Sequence, residues 1–138
     1  MGMTYIFNEI KEKKGIIHTA AASALGRMLN KRCQTLNIPL LNIVRKDEQA
    51  ELLKKEGAKF VIVTKGDWEE EYKKIIKEIG FNILFECLGG GDVREILVNN
   101  LNQNSYVYCY GKLDPNPSVL NKVELEAKGV HLMDYYNG

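Results

Sequence analysis

The sequence predicts a single α/β domain built on a parallel β-sheet. Short, continuous apolar runs alternate with longer segments in which apolar residues recur every three or four positions. Strands covered by helices on both faces read as continuous apolar runs, and alternation of strand and helix is typical of parallel sheets. With 138 residues, the chain is long enough for one domain with a substantial core.

Composition narrows the class of protein. Hydrophobic residues make up 45% and charged residues 27% of the sequence, as in a folded globular domain. The net charge of +1 gives no reason to expect a nucleic acid partner, and no apolar run is long enough to indicate a membrane span. Cys33, Cys87 and Cys109 lack metal-binding spacing, so no metal site is expected, and their isolation favours a reducing, cytoplasmic location.

The elements follow one another with glycine or proline at most breaks. Residues 4–14 have a helix-like pattern, and strands are expected at residues 15–19, 40–44, 59–64, 82–88, 105–110 and 129–135. Helices are expected from about residue 23, at residues 48–56, after residues 67 and 92, and within residues 118–128. Apolar spacing predicts the inward-facing side chains of the first and last of these helices: Leu25, Met28, Leu29, Cys33 and Leu36, and Val119, Leu120 and Val123.

Helix boundaries are indicated by capping residues. Asp47 is interpreted as the N-cap of its helix. Two capping boxes are predicted, Asp67 with Glu70 and Asp92 with Glu95. Glycines are expected to end the second and third of the helices that follow the first strand, at residues 57 and 80.

The turn between the first strand and its helix suits the pyrophosphate of a dinucleotide. Free N–H groups at a helix start attract phosphate, and small side chains let it approach the backbone. At the three glycine positions of a GxGxxG motif the chain has Ala21, Ser23 and Gly26, and the hydroxyl of Ser23 can donate to a phosphate oxygen. The turn alone fits an ordinary strand–helix connection equally well.

Arg45 and Lys46 follow the second strand, where dinucleotide-binding folds place the adenosine ribose. A carboxylate at this position favours NAD, whereas the 2′-phosphate of NADP requires cations. Two cations precede the first acid, Asp47, so the sequence predicts NADP(H) as the cofactor. The alternative is that both side chains are merely solvated.

Three runs of sequence carry a resemblance to a known family. HTAAASALG, NIVRKDEQAELLKKEGA and FECLGGG resemble the cofactor domain of the medium-chain dehydrogenase/reductase superfamily, especially its zinc-independent NADPH:quinone oxidoreductase-like branch. The resemblance covers roughly residues 15–135. It implies a Rossmann-type doubly wound sheet of six parallel strands, in the order 3-2-1-4-5-6, with helices on both faces. It also implies hydride transfer from NADPH to a quinone or small carbonyl acceptor.

The same resemblance assigns residues to the cofactor. It implies no zinc ligands and gives no proton donor, and His18 is interpreted as a buried polar residue rather than as an acid–base catalyst. The implied cofactor-binding residues follow the first, second, fourth and fifth strands: Ala22, Ser23, Ala24, Leu25 and Gly26 at the pyrophosphate, Arg45 and Lys46 at the 2′-phosphate, Leu88, Gly89 and Gly90 along the adenosine-to-ribose path, and Tyr110 and Gly111 near the nicotinamide.

Partners are also implied by the resemblance. Residues 1–138 are expected to form one NADP(H)-binding domain of a larger reductase, whose small-molecule substrate binds a second domain outside this chain. A homodimer is expected through the last strand, from Val130 to Tyr135. The alternative function is a nucleotide-binding sensor or scaffold without chemistry of its own. An S-adenosylmethionine-dependent transferase is a weaker alternative, because such enzymes usually have an acid where this chain has Arg45.

Overall fold

Strands and helices alternate along the chain as the sequence predicts. The computed structural model describes residues 15–19, 24–86, 91–109 and 122–134, so the helix predicted at residues 4–14 lies outside the described residues. The described strands are β1 (Ile16–His18), β2 (Leu40–Val44), β3 (Phe60–Val63), β4 (Ile83–Glu86), β5 (Ser105–Cys109) and β6 (Val130–Asp134). The described helices are α1 (Ala24–Leu36), α2 (Asp47–Lys55), α3 (Trp68–Ile79), α4 (Gly91–Asn99) and α5 (Lys122–Ala127).

The six described strands form one parallel sheet in the order β3-β2-β1-β4-β5-β6. Ile17 of β1 lies between Leu41 of β2 and Leu84 of β4, so β1 is a central strand. The order reverses between β1 and β4, which is the topology of a Rossmann-like fold and confirms the prediction. Because the strands are parallel, their carboxyl ends share one edge of the sheet.

Helices pack on both faces of the sheet, which explains why the strands are continuously apolar. On one face, Ile17 and Leu84 share a core with Tyr72 of α3 and Leu97 of α4. On the opposite face, the first two helices form two further apolar clusters with the strands: Ile16 with Leu29 and Cys33 of α1, and Val44 with Leu53 of α2. Strand residues alternate between these faces, as the pleat of a sheet requires.

Three apolar side chains predicted to face inward are exposed instead. Met28 is 63% exposed, because it lies one position, or about 100° around the helix, from the buried Leu29. Leu36 is 47% exposed at the last residue of α1, and Val123 is 78% exposed because α5 turns Leu125 to the core. The predictions for Val119 and Leu120 lie outside the described residues. None of the described helices is both long and apolar enough to cross a bilayer.

The N-cap of helix α2 lies one residue earlier than predicted. Lys46, with extended backbone, occupies the N-cap position, and Asp47 is the first helical residue. The reason is Gln49, whose side-chain Oε1 accepts hydrogen bonds from the backbone N–H groups of both Arg45 and Lys46, each at 3.1 Å. Gln49 therefore starts the helix in place of the Asp47 carboxylate.

Neither predicted capping box forms as expected. Asp67 does occupy the N-cap position of α3, but its side chain makes no capping hydrogen bond, and its backbone carbonyl accepts from the N–H of Glu70 at 3.2 Å. Asp92 is the second residue of α4, which begins at Gly91. An aspartate in the first turn still stabilises a helix through the helix dipole.

Two glycines end helices as predicted, and a third allows a close approach in the core. Gly57 has φ of +91° after α2, and Gly80 has φ of +81° at the end of α3. Both lie in the left-handed region that favours glycine. Gly15 precedes β1, and a Cβ there would collide with the ring of Phe81. Any larger residue at position 15 would require either the Phe81 ring or the chain entering β1 to shift.

Candidate functional site

The predicted cofactor residues that the structure describes follow β1 and β2 at the carboxyl edge of the sheet: Ala24, Leu25, Gly26, Arg45 and Lys46. In open α/β sheets, ligands bind outside the carboxyl ends of the strands, where the strand order reverses. That reversal lies between β1 and β4. Thr19, directly after β1, donates its backbone N–H to the carbonyl oxygen of Phe85 in β4 at 3.3 Å. The two strands on either side of the reversal are therefore joined at the edge where a dinucleotide would bind.

The predicted pyrophosphate residues lie at the start of α1. Ala24, Leu25 and Gly26 are its first three residues, and Gly26 is buried, in keeping with a glycine where a helix packs closely on a strand. The other predicted cofactor residues of the turns after β1, β4 and β5 lie outside the described residues: Ala22, Ser23, Leu88, Gly89, Gly90, Tyr110 and Gly111. Their assignment to the cofactor stays a prediction.

Two exposed cations follow β2. Arg45 and Lys46 are both exposed, and neither side chain forms an ion pair with another described residue. Their backbone N–H groups are occupied by Gln49, as described above. Any anion recognised at the end of β2 would therefore be met by the side chains of these residues rather than by their backbone.

A third cation, which the sequence analysis missed, reaches the same corner from β3. Thr64 follows β3 and donates its backbone N–H to the carbonyl oxygen of Val44 at 3.0 Å, which keeps the ends of β2 and β3 together. The next residue, Lys65, places its Nζ 3.3 Å from Oδ2 of Asp47. The signal that could have found Lys65 is its position directly after the third strand, since strand order 3-2-1 makes that strand the neighbour of the second.

Buried polar side chains lie in the sheet below this edge. His18 and Asn42 are adjacent across β1 and β2, and both are fully buried. Burial lowers the pKa of His18 to about 4, so its imidazole is neutral at pH 7. The His18 and Phe85 rings are packed nearly perpendicular to each other, and Asn42 donates from Nδ2 to the carbonyl oxygen of Phe60 at 3.0 Å. The predicted burial of His18 is confirmed, and a neutral imidazole held in the sheet fits a structural role.

Metal ligands are not grouped in the described part of the chain. Across residues 15–19, 24–86, 91–109 and 122–134, no three His, Cys, Asp or Glu side chains are arranged to hold an ion. Cys33 is buried in the core of α1, and burial raises the pKa of its thiol to about 12. This thiol is therefore protonated and unreactive at neutral pH.

The strand order, with helices on both faces of a parallel sheet, defines the class of fold, which is the Rossmann-like α/β fold. Comparison with solved structures is consistent with this class. The chain matches a protein assigned as an NADPH:quinone reductase from Mesorhizobium loti with a TM-score of 0.84 and 25% identity, covering 97% of this chain and 39% of that one. It matches a mycobacterial protein in complex with NADPH with a TM-score of 0.77 and 18% identity, covering 96% and 42%.

A third match is a mutant of Etr1p in complex with NADP and crotonyl-CoA, with a TM-score of 0.76 and 21% identity, covering 94% of this chain and 39% of that one. The structural neighbours are NADPH:quinone reductases and enoyl reductases, which are medium-chain dehydrogenase/reductase proteins. The predicted resemblance to the cofactor domain of that superfamily is thereby confirmed. The chain spans about two fifths of the length of these neighbours. No family model and no curated protein sequence matches the chain.

Proposed function

We propose that this chain binds NADP(H) along the carboxyl edge of its sheet and serves as the cofactor domain of a reductase. The observation that carries the proposal is the pair of exposed cations, Arg45 and Lys46, directly after β2 in a Rossmann-like sheet. Cations at this position suit a 2′-phosphate, whereas NAD-binding sites usually present a carboxylate to the ribose. The likeness to structures determined with NADPH and NADP supports the same cofactor.

The described residues fit this cofactor. The buried Gly26 at the start of α1 allows close packing of helix and strand below the pyrophosphate, and the backbone N–H groups of the first helical turn favour an anion. Arg45 and Lys46 would hold the 2′-phosphate through their side chains. When bound, the cofactor supplies the hydride, and the protein supplies binding, orientation and electrostatics.

The interaction of Arg45 or Lys46 with a 2′-phosphate would contribute enough free energy to discriminate between NADPH and NADH. A hydrogen bond between charged partners contributes about 1.5–3 kcal/mol, and exposure to solvent reduces that figure. Since about 1.4 kcal/mol corresponds to a tenfold change in affinity, even one such bond, weakened by exposure, would favour NADPH over NADH by several-fold. Titration calorimetry of the chain with NADPH, NADH and S-adenosylmethionine tests this directly. We expect NADPH to bind at least several-fold more tightly than NADH, and equal affinity would contradict the proposal.

The reductase chemistry belongs to the proposal as well. We infer that the acceptor is a quinone or a small carbonyl compound, which is supported by the likeness to quinone reductases and enoyl reductases. NADPH oxidation by the full-length gene product, followed with a panel of quinones and α,β-unsaturated carbonyl compounds, tests it. Binding of NADPH without turnover of any acceptor would favour the alternative of a sensor or scaffold.

The homodimer is a further part of the proposal. β6 lies at one edge of the sheet, and its outer side has no partner among the described strands. An unpaired edge invites another strand, so a second copy of the chain pairing along β6 would extend the sheet. Light scattering after size exclusion tests this, and a monomer at micromolar concentration would contradict it.

The isolated, buried Cys33 supports a reducing, cytoplasmic location.

A further inference from the structure

The Lys65–Asp47 ion pair occupies the corner where the proposed 2′-phosphate would bind. Val44 is the register partner of Val63, so the residues that follow β2 and β3 emerge side by side. Arg45 and Lys46 come from β2, and Lys65 comes from β3. This corner therefore brings together three cations and the carboxylate of Asp47.

We propose that Lys65 is a third cation for the 2′-phosphate, and that Asp47 holds Lys65 as a competing anion until the cofactor arrives. This inference rests on the proposed function, because it assumes that NADP(H) places its 2′-phosphate after β2. Lys65 then exchanges one anionic partner for another. The role of Lys65 is to determine cofactor specificity, and the role of Asp47 is to limit affinity.

The geometry favours the exchange. Lys65 and Asp47 have side chains that are 61% and 77% exposed, and exposed ion pairs contribute little to stability. Their Nζ–Oδ2 distance of 3.3 Å is longer than that of a short charge-assisted hydrogen bond. A phosphate monoester carries about −1.5 to −2 charges at pH 7, compared with one on a carboxylate, so it attracts the ammonium more strongly.

Because the backbone N–H groups after β2 are already hydrogen-bonded, side chains must recognise the phosphate at this corner. Gln49 takes the N–H groups of both Arg45 and Lys46, so neither is available to an entering phosphate. A flexible lysine such as Lys65 can follow the phosphate, because its ammonium is a point charge on a four-carbon stem. Because Arg45 directly follows β2 and Lys65 comes from the end of β3, Lys65 would approach the phosphate from the β3 side.

Two charge-neutralising substitutions test the inference against a matched control. Lys65→Gln removes the proposed third cation, and Asp47→Asn removes the competing anion. Lys77→Gln is the control, because Lys77 is an exposed lysine in the last turn of α3, at the opposite end of the sheet. Each protein is titrated by calorimetry with NADPH and NADH, and with adenosine 2′,5′-bisphosphate and AMP, which isolate the contribution of the 2′-phosphate.

We expect Lys65→Gln to weaken NADPH and adenosine 2′,5′-bisphosphate by about five- to tenfold while leaving NADH and AMP unchanged. We expect Asp47→Asn to strengthen the two phosphorylated ligands by about two- to threefold, since it releases Lys65 and removes a repulsive charge. Lys77→Gln should bind all four ligands as the wild type does.

The two possible failures are distinguishable. If the wild type prefers NADPH but Lys65→Gln behaves like Lys77→Gln, Lys65 has no role and the proposed function still stands. If Asp47→Asn binds NADPH no more tightly than the wild type, Asp47 is not a competing anion. If the wild type does not distinguish NADPH from NADH, the proposed function fails and the inference fails with it.

Discussion

The guanidinium of Arg27 donates two hydrogen bonds to the carboxylate of Glu56, from Nε to Oε1 at 2.8 Å and from Nη2 to Oε2 at 2.9 Å. This bidentate pair joins α1 to the end of α2. Gln34 adds to it by donating from Nε2 to the backbone carbonyl oxygen of Glu56 at 2.9 Å. The two helices on this face of the sheet are therefore joined beside β2, the strand that Arg45 follows.

The Arg27–Glu56 pair predicts a pH-dependent loss of stability. The Arg27 guanidinium holds the pKa of the Glu56 carboxyl below its ordinary value of 4.5. Stability from this pair is therefore present above that value and is lost as the pH falls through the lowered pKa. We expect Arg27→Gln to lower the urea midpoint at pH 7 and to converge with the wild type at low pH. A difference that persists unchanged in acid would contradict the ion-pair explanation.

Arg45→Glu tests the basis of cofactor choice. A carboxylate at the end of β2 repels a 2′-phosphate and resembles the acid that NAD-binding sites present to the ribose. We expect NADPH affinity to fall by about tenfold or more, because both an attraction is lost and a repulsion is gained. NADH affinity should change far less. Calorimetric titration of both cofactors measures the ratio, and equal losses for the two would reject the assignment of Arg45.

Gln49 is expected to act as a positioning residue for the two cations. Gln49→Ala removes the acceptor for the N–H groups of Arg45 and Lys46, and loss of such a capping interaction typically costs about 1 kcal/mol of stability. We expect NADPH affinity to fall several-fold, with a smaller effect on NADH.

The variant Gln49→Glu distinguishes an effect on the positioning of Arg45 and Lys46 from an effect on the stability of the helix. In Gln49→Glu, a carboxylate oxygen can accept the same two N–H groups, so stability should return to the wild-type value. NADPH affinity should stay reduced, because a negative charge has been added beside Arg45 and Lys46. If Gln49→Ala and the wild type have the same ratio of NADPH to NADH affinity, Gln49 supports only the helix.

The burial of His18 predicts a second pH dependence of stability, at a higher pH than that of the Arg27–Glu56 pair. Burial lowers its pKa from 6.5 to about 4, so between these values the unfolded chain binds the proton and the folded chain does not. Stability therefore falls as the pH drops through this window and the loss is complete below it. At pH 5, the His18 contribution should be lower by about 2 kcal/mol than at pH 7.

Urea unfolding of the wild type and His18→Gln at both pH values measures this contribution. The variant should lack that part of the pH dependence, whatever its stability at pH 7. His131→Gln is the comparison for removing a histidine from the sheet, since His131 is only partly buried on β6, where it packs against Tyr106. If His18→Gln retains the full pH dependence of the wild type, the imidazole is not responsible.

The fold was predictable from the sequence because its signals are local. Continuous apolar runs marked the strands, and Gly57 and Gly80 ended helices where the backbone turns left-handed. The errors arose where a local pattern competes with a partner elsewhere in the chain. Met28 has helical apolar spacing but lies on the flank of α1 that faces away from the sheet, and Lys46 occupies the N-cap position predicted for Asp47, with its N–H bound by the side chain of Gln49.

The candidate site was predictable only in part, for the same reason. Arg45 and Lys46 could be found because a single strand end identifies them. Lys65 was missed although the implied strand order places the end of β3 beside that of β2, because its contact with Asp47 depends on the register of the two strands. The convergence of charges from different strand ends is a tertiary property that periodicity does not encode.

The shortness of β1 has a consequence for how the two halves of the sheet are held together. This strand has three residues, and it is the element that joins β2 and β3 to β4, β5 and β6. Among the described strands, the sheet is therefore shortest along its middle, with the corner of Arg45, Lys46 and Lys65 in one half and the outer edge of β6 in the other. A substitution that adds a Cβ at Gly15, against the ring of Phe81, would therefore disturb the strand on which both halves of the sheet depend.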